Sequence, residues 1–317
     1  MNKYAYLIQA HNNVNIFKEL ILNLSSNSDC DIYVHIDKKF DINPFKKIVL
    51  ENNLLSNVFF IEDRVNIKWM GFSQVEASIN LMKEAIKNKK YKYISLISGV
   101  DFPIQNLSNF HTFLDKNNDK EYISFWELND RPDWLHKIQY YYPIDFIEIR
   151  NWKKNIFRLL FWGVFFAIRN FLPKRKFIPE LIPFGGSSWW TLTNNSVEYI
   201  LSIYKERKDI VKYYKYTHAP DEMFFQTILL NSKYKKQVFM ISEYNKWQAQ
   251  IKDTYMLDEK LFNLRYIDWS GREDQYPVIL DERDYQTLLD SNCFFARKFS
   301  EEKSISLIEM LKKHINS

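Results

Sequence analysis

The amino-acid sequence predicts an α/β protein whose first half contains a parallel sheet. Short apolar or alternating segments, which are typical of strands, recur at 4–9, 31–37, 58–61 and 93–97. Segments with the apolar spacing of helices lie between them, at 14–24, 44–55 and 72–88. Strands that alternate with helices at such intervals are typical of a doubly wound sheet. No G-x-G-x-x-G motif follows the first strand, so the sequence does not support a dinucleotide-binding Rossmann site.

The first elements each have a local signal in the sequence. Residues 4–9 alternate in hydrophobicity, and residues 14–24 place their large apolar side chains on one side of a helix. The segment 31–37 is β-branched and ends in a polar cluster, and the segment 93–97 closes at Ser98-Gly99.

The second half of the chain is predicted to hold shorter, mixed elements. We expect helices at 107–114, 284–289 and 304–315, and strands at 122–126, 238–241 and after the paired glycines 185–186. The segments 131–134 and 140–143 contain proline beside polar or aromatic residues and are expected to be loops. The sequence has no internal repeat, no low-complexity tract and no clean domain boundary.

Composition excludes several classes of protein. Aromatic residues make up 17% of the 317 residues and glycine occurs only 6 times, which indicates a well-packed chain and argues against disorder. The net charge of +5 is too small to argue for nucleic-acid binding. Cys30 and Cys293 are the only cysteines, so neither a disulfide scaffold nor a zinc cluster is expected, and a reducing cytoplasm is the favoured setting.

One apolar segment, 156–172, allows two interpretations. Arg158 and Arg169 interrupt it, and it is shorter than a bilayer span requires. Basic residues flank it on both sides, at 153–154 and 174–176. The segment is therefore expected to be either an aromatic helix buried in the protein or an interfacial helix that lies on an anionic membrane.

Polar residues follow three of the predicted strands. These clusters are Ala10-His11-Asn12, Asp37-Lys38-Lys39 and Gly99-Val100-Asp101. In α/β sheets, ligands bind outside the carboxyl ends of the strands. Any one cluster alone could be an ordinary loop cap, because Asp and Asn favour turns. Three clusters at three strand ends favour a ligand-binding edge.

Two adjacent acids, Asp221 and Glu222, follow Pro220 and lead into an apolar run with helical spacing. Proline fits the first turn of a helix, and carboxylates are stabilised at the positive end of the helix dipole. The spacing alone is compatible with two capping acids, or with one capping acid and one general base that faces a cleft. The stretch 185–189 is either a tight turn or a place where the backbone approaches a ligand closely.

Several segments, taken in order, resemble the core-2/I-branching glycosyltransferase family, which also contains the peptide O-xylosyltransferases. The matching segments are 5–11, 35–39, Trp69, 98–104, 186–190, 220–222, 264–269 and 295–299. Each segment is a weak signal alone, but their order and spacing make the resemblance specific. Little matches between 105 and 183.

The resemblance implies a GT-A fold with a single mixed, mostly parallel sheet flanked by helices. It implies one catalytic domain over 1–317, with a nucleotide-binding half at 1–104 and an acceptor-binding half at 105–317 that ends in a diphosphate-binding segment. Such an enzyme moves a sugar, here GlcNAc or xylose, from a UDP-sugar to a hydroxyl of a glycan and inverts the anomeric centre. No metal, no cofactor beyond this donor and no nucleic acid is expected.

The family pattern also implies a role for individual residues. Glu222 is the catalytic base, and Asp221 caps the turn while it lines the acceptor side. The residues implied on the donor side are His11, Asp37, Asp101, Arg265, Arg297 and Lys298. Lys298 lies at the lysine position of the diphosphate-binding segment, and Arg272 is an alternative to Arg265 as a second cation. Those implied on the acceptor side are Trp69, Gly186, Ser187, Trp189 and Asp221, with Trp134 and Trp247 as weaker candidates.

This sequence departs from the animal members of the family, so the resemblance does not determine the acceptor or the cellular compartment. The favoured setting is a bacterial enzyme of surface-polysaccharide synthesis, cytoplasmic or peripheral at the inner face of the plasma membrane. Contact of the segment 156–172 with the membrane would then hold the enzyme near a lipid-linked glycan acceptor. Asp29-Cys30-Asp31 has the Asp-x-Asp pattern of metal-dependent glycosyltransferases, but it precedes a strand and is interpreted as a turn. The alternatives are a metal-dependent enzyme that uses Asp29 and Asp31, or a non-catalytic carbohydrate- or nucleotide-binding module.

Overall fold

Strands and helices alternate in the first half of the computed structural model, which describes residues 3–27, 29–87, 89–249 and 259–316. The strands are β1 (Tyr4–Ala10), β2 (Cys30–Ile36), β3 (Val58–Phe60), β4 (Tyr93–Ser98), β5 (Phe102–Pro103), β6 (Tyr122–Ile123), β7 (Trp126–Glu127), β8 (Phe184–Gly185), β9 (Trp190–Thr193), β10 (Arg265–Ile267) and β11 (Phe295–Arg297). The helices are α1 (Val14–Ser25), α2 (Asn43–Glu51), α3 (Ser73–Ile86), α4 (Leu107–Lys116), α5 (Pro132–Gln139), α6 (Ile156–Ile168), α7 (Asn194–Glu206), α8 (Lys208–Tyr214), α9 (Phe224–Leu230), α10 (Ile241–Ala249), α11 (Glu259–Asn263), α12 (Tyr285–Asp290) and α13 (Ile305–Asn316).

The largest sheet has six strands in the order β3-β2-β1-β4-β9-β6. Strands β1 to β4 run parallel to one another, whereas β9 runs antiparallel to both β4 and β6. The α/β class and the mixed, mostly parallel sheet with flanking helices are therefore confirmed. The prediction of a single sheet is wrong, because β10, β11 and β5 form a second sheet and β7 pairs with β8 in a third.

Strand β1 lies at the centre of two core layers. All of its residues are buried, and so are those of β2. Tyr6 and Ile8 face the layer that contains α1, α2 and α4, while Ala5 and Leu7 face the layer that contains α3, α7 and α9. Side chains alternate between the two faces of a strand, so burial on both faces explains why these segments are almost continuously apolar.

The helices predicted in the first half are confirmed, with changes at their ends. Helix α1 buries Ile16, Phe17, Leu20, Ile21 and Leu24, the apolar side predicted from spacing. Helix α2 ends at Glu51, before residue 55, and two residues later Asn53 adopts a left-handed φ of 55°. Helix α3 ends at Ile86, and residue 88 of the predicted range lies outside the described residues.

The segment 238–241 was predicted to be a strand, and this is wrong. Val238 forms an isolated bridge with Glu121, and helix α10 begins at Ile241. Between them Met240 has a φ of 63°, which is incompatible with an extended strand. A short apolar run does not reveal such a backbone reversal.

The prediction of a loop at 131–134 is also wrong, because helix α5 begins at Pro132. Proline in the first turn and Asp133 beside the positive end of the helix dipole are helix-start signals that a loop assignment overlooks. The predicted strand 122–126 is divided into β6, which pairs with β9, and β7, which pairs with β8.

Helix α6 and the 3-10 turn Arg169–Phe171 occupy most of the apolar segment 156–172. Trp162 is the residue of this helix that is buried, so the interpretation of a wholly buried helix is wrong. Among the residues that the structure describes, none of the helices combines the length and apolarity that crossing a bilayer requires.

Gly186 and Gly163 provide a matched pair of alanine substitutions. A Cβ at Gly186 would overlap the backbone carbonyl of Ser124, whereas one at Gly163 would meet no atom within 4 Å. We expect Gly186→Ala to lower the free energy of unfolding by about 1–3 kcal/mol or more, because backbone must move. We expect Gly163→Ala to raise it by about 0.5–1 kcal/mol, because alanine favours a helix interior.

Urea denaturation monitored by circular dichroism would measure both changes in the free energy of unfolding. A Gly186→Ala variant as stable as the unsubstituted protein would contradict the close backbone approach.

Candidate active site

The carboxyl ends of β1, β2 and β4 meet at one edge of the main sheet. The Asp37 N–H donates to the Ala10 carbonyl over 2.9 Å, and the Gly99 N–H donates to the Gln9 carbonyl over 2.8 Å. His11 follows β1 directly, and its ring lies 5.4 Å from that of Phe40. The structure therefore brings the three predicted polar clusters together.

Asp37 is partly engaged by its own loop. Its Oδ1 accepts from the backbone N–H of Lys39 over 3.1 Å, and the Lys39 ammonium lies 3.3 Å from Oδ2. The N–H of Ile67 is 3.4 Å from Oδ1. Asp37 thus acts as a loop cap in this structure, and its predicted contact with a nucleoside stays a prediction.

Asp101 is a fully buried carboxylate shared by two arginines. Its Oδ2 accepts from the Ser98 N–H over 3.1 Å and lies 3.6 Å from Nε of Arg265, and its Oδ1 lies 3.4 Å from Arg297. Burial lowers the pKa of Arg265 to about 10, and it also lowers the pKa of Arg297. Two cations and one anion leave an excess of positive charge, which suits an anionic ligand.

Trp189 covers this cluster. Its ring lies 4.8 Å from the guanidinium carbon of Arg297 and 6.0 Å from that of Arg265. Arg265 is 2% exposed, so its side chain lies behind Asp101 rather than in an open cleft. The alternative second cation, Arg272, is held by the Asp284 carboxylate at 2.6 Å.

Lys298 follows Arg297 and is half-buried. Burial lowers the pKa of its ammonium, and the charges of Arg297 and Arg150 lower it further. Burial and the charge of Arg150 likewise lower the pKa of His11, while the charge of Asp37 opposes this. The positive charge of Arg150 therefore acts on both the β1 end and the C-terminal segment. Sequence reasoning missed it, since none of the family segments identified in the sequence lies between 105 and 183.

The two predicted acids lie on a 3-10 turn, Pro220–Glu222, that precedes helix α9 instead of forming its first turn. Ala219 enters this turn with a φ of 50° and donates its N–H to the carbonyl of Met70 over 2.9 Å. Met70 is also left-handed, with a φ of 64°. Such conformations cost about 1 kcal/mol each and are often found at functional sites.

Asp221 and Glu222 are adjacent but have different surroundings. Asp221 is buried and accepts from the Ser188 hydroxyl over 2.6 Å. Burial, together with the charge of Glu222, raises the pKa of Asp221 to about 7. The Glu222 side chain is 30% exposed, and its Oε2 accepts from the Lys137 ammonium over 2.7 Å.

Lys137 was missed by sequence reasoning. It lies on α5 one helical turn after Trp134, and its ammonium is 3.3 Å from the centre of the Trp134 ring. The lysine is thus fixed between an aromatic face and the Glu222 carboxylate. The helix-start signal Pro132-Asp133 could have indicated it. A helix that begins there places residues 134 and 137 side by side.

The stretch 186–189 is hydrogen-bonded through its backbone to the turn Pro220–Glu222, which we call the acid turn. The Gly186 N–H donates to the Glu222 carbonyl over 2.8 Å, and the Gln226 side chain donates to the Ser187 carbonyl over 2.7 Å. Trp69, beside Met70, is 47% exposed. The Trp247 side chain lies outside the described residues.

The acid turn and the cluster of cations Arg265, Arg297 and Lys298 lie side by side and form one site. The charge of Asp221 acts on the partly buried Arg297 and favours its protonated form, and Ser188 and Trp189 bridge the two groups. A partly exposed carboxylate that can accept a proton therefore lies beside a set of fixed cations that can bind an anion. Asp31 lies at the other end of its strand, at the amino end of β2, and does not belong to this site. Its carboxylate accepts from the Lys89 ammonium over 2.7 Å and from the Tyr91 hydroxyl over 2.6 Å.

Comparisons with known proteins give the site a family context. A family model described as "Core-2/I-Branching enzyme" matches residues 4–289. Rat xylosyltransferase 2 is 24% identical over 99% of this chain and 34% of its own length. A xylosyltransferase of Caenorhabditis elegans is 24% identical over 87% of this chain and 32% of its own length. The chain therefore spans about a third of the length of these relatives.

A human relative carries a different name, probable beta-1,3-galactosyl-O-glycosyl-glycoprotein beta-1,6-N-acetylglucosaminyltransferase 7. It is 25% identical over 71% of this chain and 48% of its own length. Among solved structures, the PaToxG glycosyltransferase matches 82% of this chain and 83% of its own, with a TM-score of 0.28 and 15% identity. That TM-score is too low to support an argument about this chain.

The pH dependence of stability tests the environment of Asp221. A carboxyl group whose pKa is raised on folding from its ordinary value of 3.8 to about 7 stabilises the folded state below about pH 4 and loses that contribution as the pH rises through about 7. We expect the unsubstituted protein to lose stability relative to Asp221→Asn between pH 4 and pH 7.5, by about 3–4 kcal/mol.

Urea denaturation of the two proteins at several pH values would measure this difference, because their other titrating groups are the same. A constant difference across the range would contradict the raised pKa.

Proposed function

The chain belongs to the Core-2/I-Branching enzyme family, and we propose that it is an inverting glycosyltransferase that moves a sugar from a UDP-sugar to a hydroxyl group of a glycan. GlcNAc and xylose are the proposed sugars, since the relatives are named as xylosyltransferases and N-acetylglucosaminyltransferases. The bacterial surface-polysaccharide setting stays a prediction. The proposed position of the donor is at the strand ends, where ligands bind in α/β sheets, and that of the acceptor is near the acid turn.

Glu222 is the proposed general base, and its contrast with Asp221 is the observation that carries the proposal. Asp221 is buried, bonded to Ser188 and inclined to hold a proton near neutral pH. Glu222 is partly exposed, and a lysine contacts one of its oxygens. Among the described residues its second oxygen, Oε1, has no hydrogen-bond donor, so it is available to a substrate hydroxyl.

The proposed reaction is a single displacement. The acceptor hydroxyl attacks C1 of the sugar on the face opposite UDP, the bond from C1 to the UDP oxygen breaks, and Glu222 takes the hydroxyl proton. UDP leaves with an additional negative charge. Lys298 and Arg297, backed by the Asp101 cluster, are the proposed groups that stabilise this charge.

Lys137 is the proposed positioning residue for the base. Its 2.7 Å contact with Oε2 holds the Glu222 carboxylate in one orientation. The stacking of Lys137 on Trp134 fixes the lysine itself. Trp69 and Trp134 are the proposed aromatic surfaces for the acceptor glycan.

The replacement of Glu222 tests the proposed base. We expect Glu222→Gln to retain UDP binding and to reduce sugar transfer by about 10²–10⁴-fold, because an amide cannot accept the hydroxyl proton. The measurement is UDP release with UDP-GlcNAc or UDP-xylose and a panel of glycan acceptors, beside calorimetric titration with UDP.

Glu19→Gln is the matched control, since the Glu19 side chain is 23% exposed and pairs with Lys312 at 2.9 Å far from the site. Transfer by Glu222→Gln equal to that of Glu19→Gln would contradict the assignment. UDP binding without turnover by the unsubstituted protein over every acceptor would favour a non-catalytic binding module.

UDP titrations in excess EDTA and in manganese test the role of the fixed cations. We expect equal affinity in the two conditions, and we expect Lys298→Met to weaken binding by about tenfold or more, because a charge-assisted contact is lost. Lys18→Met, on α1, is the control for the loss of one positive charge. Binding that requires manganese would overturn the proposal of a metal-independent site.

A further inference from the structure

Helix α6 carries an apolar surface that faces outward. In the described part of the chain, nine of the nineteen exposed large hydrophobic side chains lie within residues 156–172. We define the α6 apolar face by Ile156, Phe157, Leu160, Phe161, Val164, Ile168 and Phe171. These positions recur every three or four residues and therefore form one stripe. Phe157 is 80% exposed and Phe171 is 88% exposed, so protein does not cover the stripe at either end.

The opposite side of α6 is fixed to the protein. Trp162 is completely buried and packs against Tyr142, Phe165 and Phe166, with ring centres 5.4 to 6.5 Å away. Arg158 pairs with Glu148 at 3.1 Å. The helix is therefore held in one orientation, and its apolar face points outward as a consequence of packing.

The charged residues of the segment that carries the face have one sign. Residues 151–179 contain seven lysines and arginines and no acid. Arg175 turns inward and donates to the Tyr216 carbonyl over 2.9 Å. Four exposed lysines remain, two before α6 and two after it, and among the described residues none of them forms an ion pair: Lys153, Lys154, Lys174 and Lys176.

We propose that the α6 apolar face docks on an anionic lipid bilayer, with the helix parallel to the surface. The apolar stripe would enter the interface, and the lysines at both ends would contact lipid phosphates. A helix of this length, about 20 Å, lies on a bilayer but cannot cross it. A second copy of the chain fits less well, because a symmetric pair would bring the lysines of both copies together.

The docking surface is connected to the acid turn. Tyr142 lies between Trp162, whose ring centre is 6.5 Å away, and His218, whose ring centre is 5.1 Å away. His218 is two residues before Pro220, the start of the acid turn. A docked molecule would therefore hold the candidate active site close to the membrane surface.

The experiment is flotation of the full chain with unilamellar vesicles. We expect it to float with vesicles that contain phosphatidylglycerol, to bind those of pure phosphatidylcholine at least tenfold more weakly, and to be released as salt rises. Lipid binding is measured without turnover, so its outcome is separate from that of the Glu222 experiment.

Substitutions identify the surface. We expect the triple variant Phe157→Gln, Leu160→Gln, Val164→Gln to bind anionic vesicles at least tenfold more weakly. Its matched control is the double variant Leu50→Gln, Leu55→Gln, since both leucines are 62% exposed on another face. Circular dichroism of each variant verifies that the fold is retained.

The lysines are tested in the same way. We expect serine at all four of 153, 154, 174 and 176 to reduce binding to anionic vesicles at least tenfold, while Lys46→Ser with Lys116→Ser leaves it unchanged. Failure of the unsubstituted protein to bind anionic vesicles, or equal binding by the triple variant, would overturn the proposal. A dimer that the triple variant disrupts, without vesicle binding, would assign the face to self-association instead.

Discussion

The carboxylate of Asp101 joins the parts of the chain that form the candidate site. It receives a hydrogen bond from the end of β4 and lies within ion-pair distance of arginines on β10 and β11. A buried anion of this kind is tolerated only when cations and hydrogen bonds surround it. This side chain therefore adds to the pairing of β11 with β10 and β5 in holding the strand, and with it Lys298, in position. The ring of Trp189 packs on the same two arginines. It therefore connects this cluster to the stretch 186–189 beside the acid turn.

Two adjacent carboxyl groups have unlike surroundings. The chain buries Asp221 against Ser188, where burial favours the protonated form, and leaves Glu222 at the protein surface beside Lys137. A pair of carboxyl groups in unlike environments is a frequent basis of acid–base assignments. The local backbone helps to place the two side chains in different surroundings, because the left-handed Ala219 sets the direction of the turn from which both project.

Local patterns predicted the parts of the fold that depend on neighbours in sequence. Strands β1, β2 and β4 are buried on both faces, so their apolar runs identified them, and their polar ends identified the ligand edge. The two acids were found because proline and carboxylates mark the start of a turn. Lys137 could not be found in this way, since it is 85 residues from Glu222 in the chain and its helix was interpreted as a loop. Arg150 lies in an irregular segment between α5 and α6 that carries no local signal, and the short second sheet depends on pairings between distant segments.

The pairing of Asp101 with Arg297 spans 196 residues of sequence. Contacts of such separation form late, because the intervening chain must first be ordered. The parallel strands alone would thus present their polar ends without Arg265, Arg297 and Lys298. These three cations join the strand ends only when β11 docks against β5 and β10. The proposed anion site therefore depends on the completed global topology and not on any one local element.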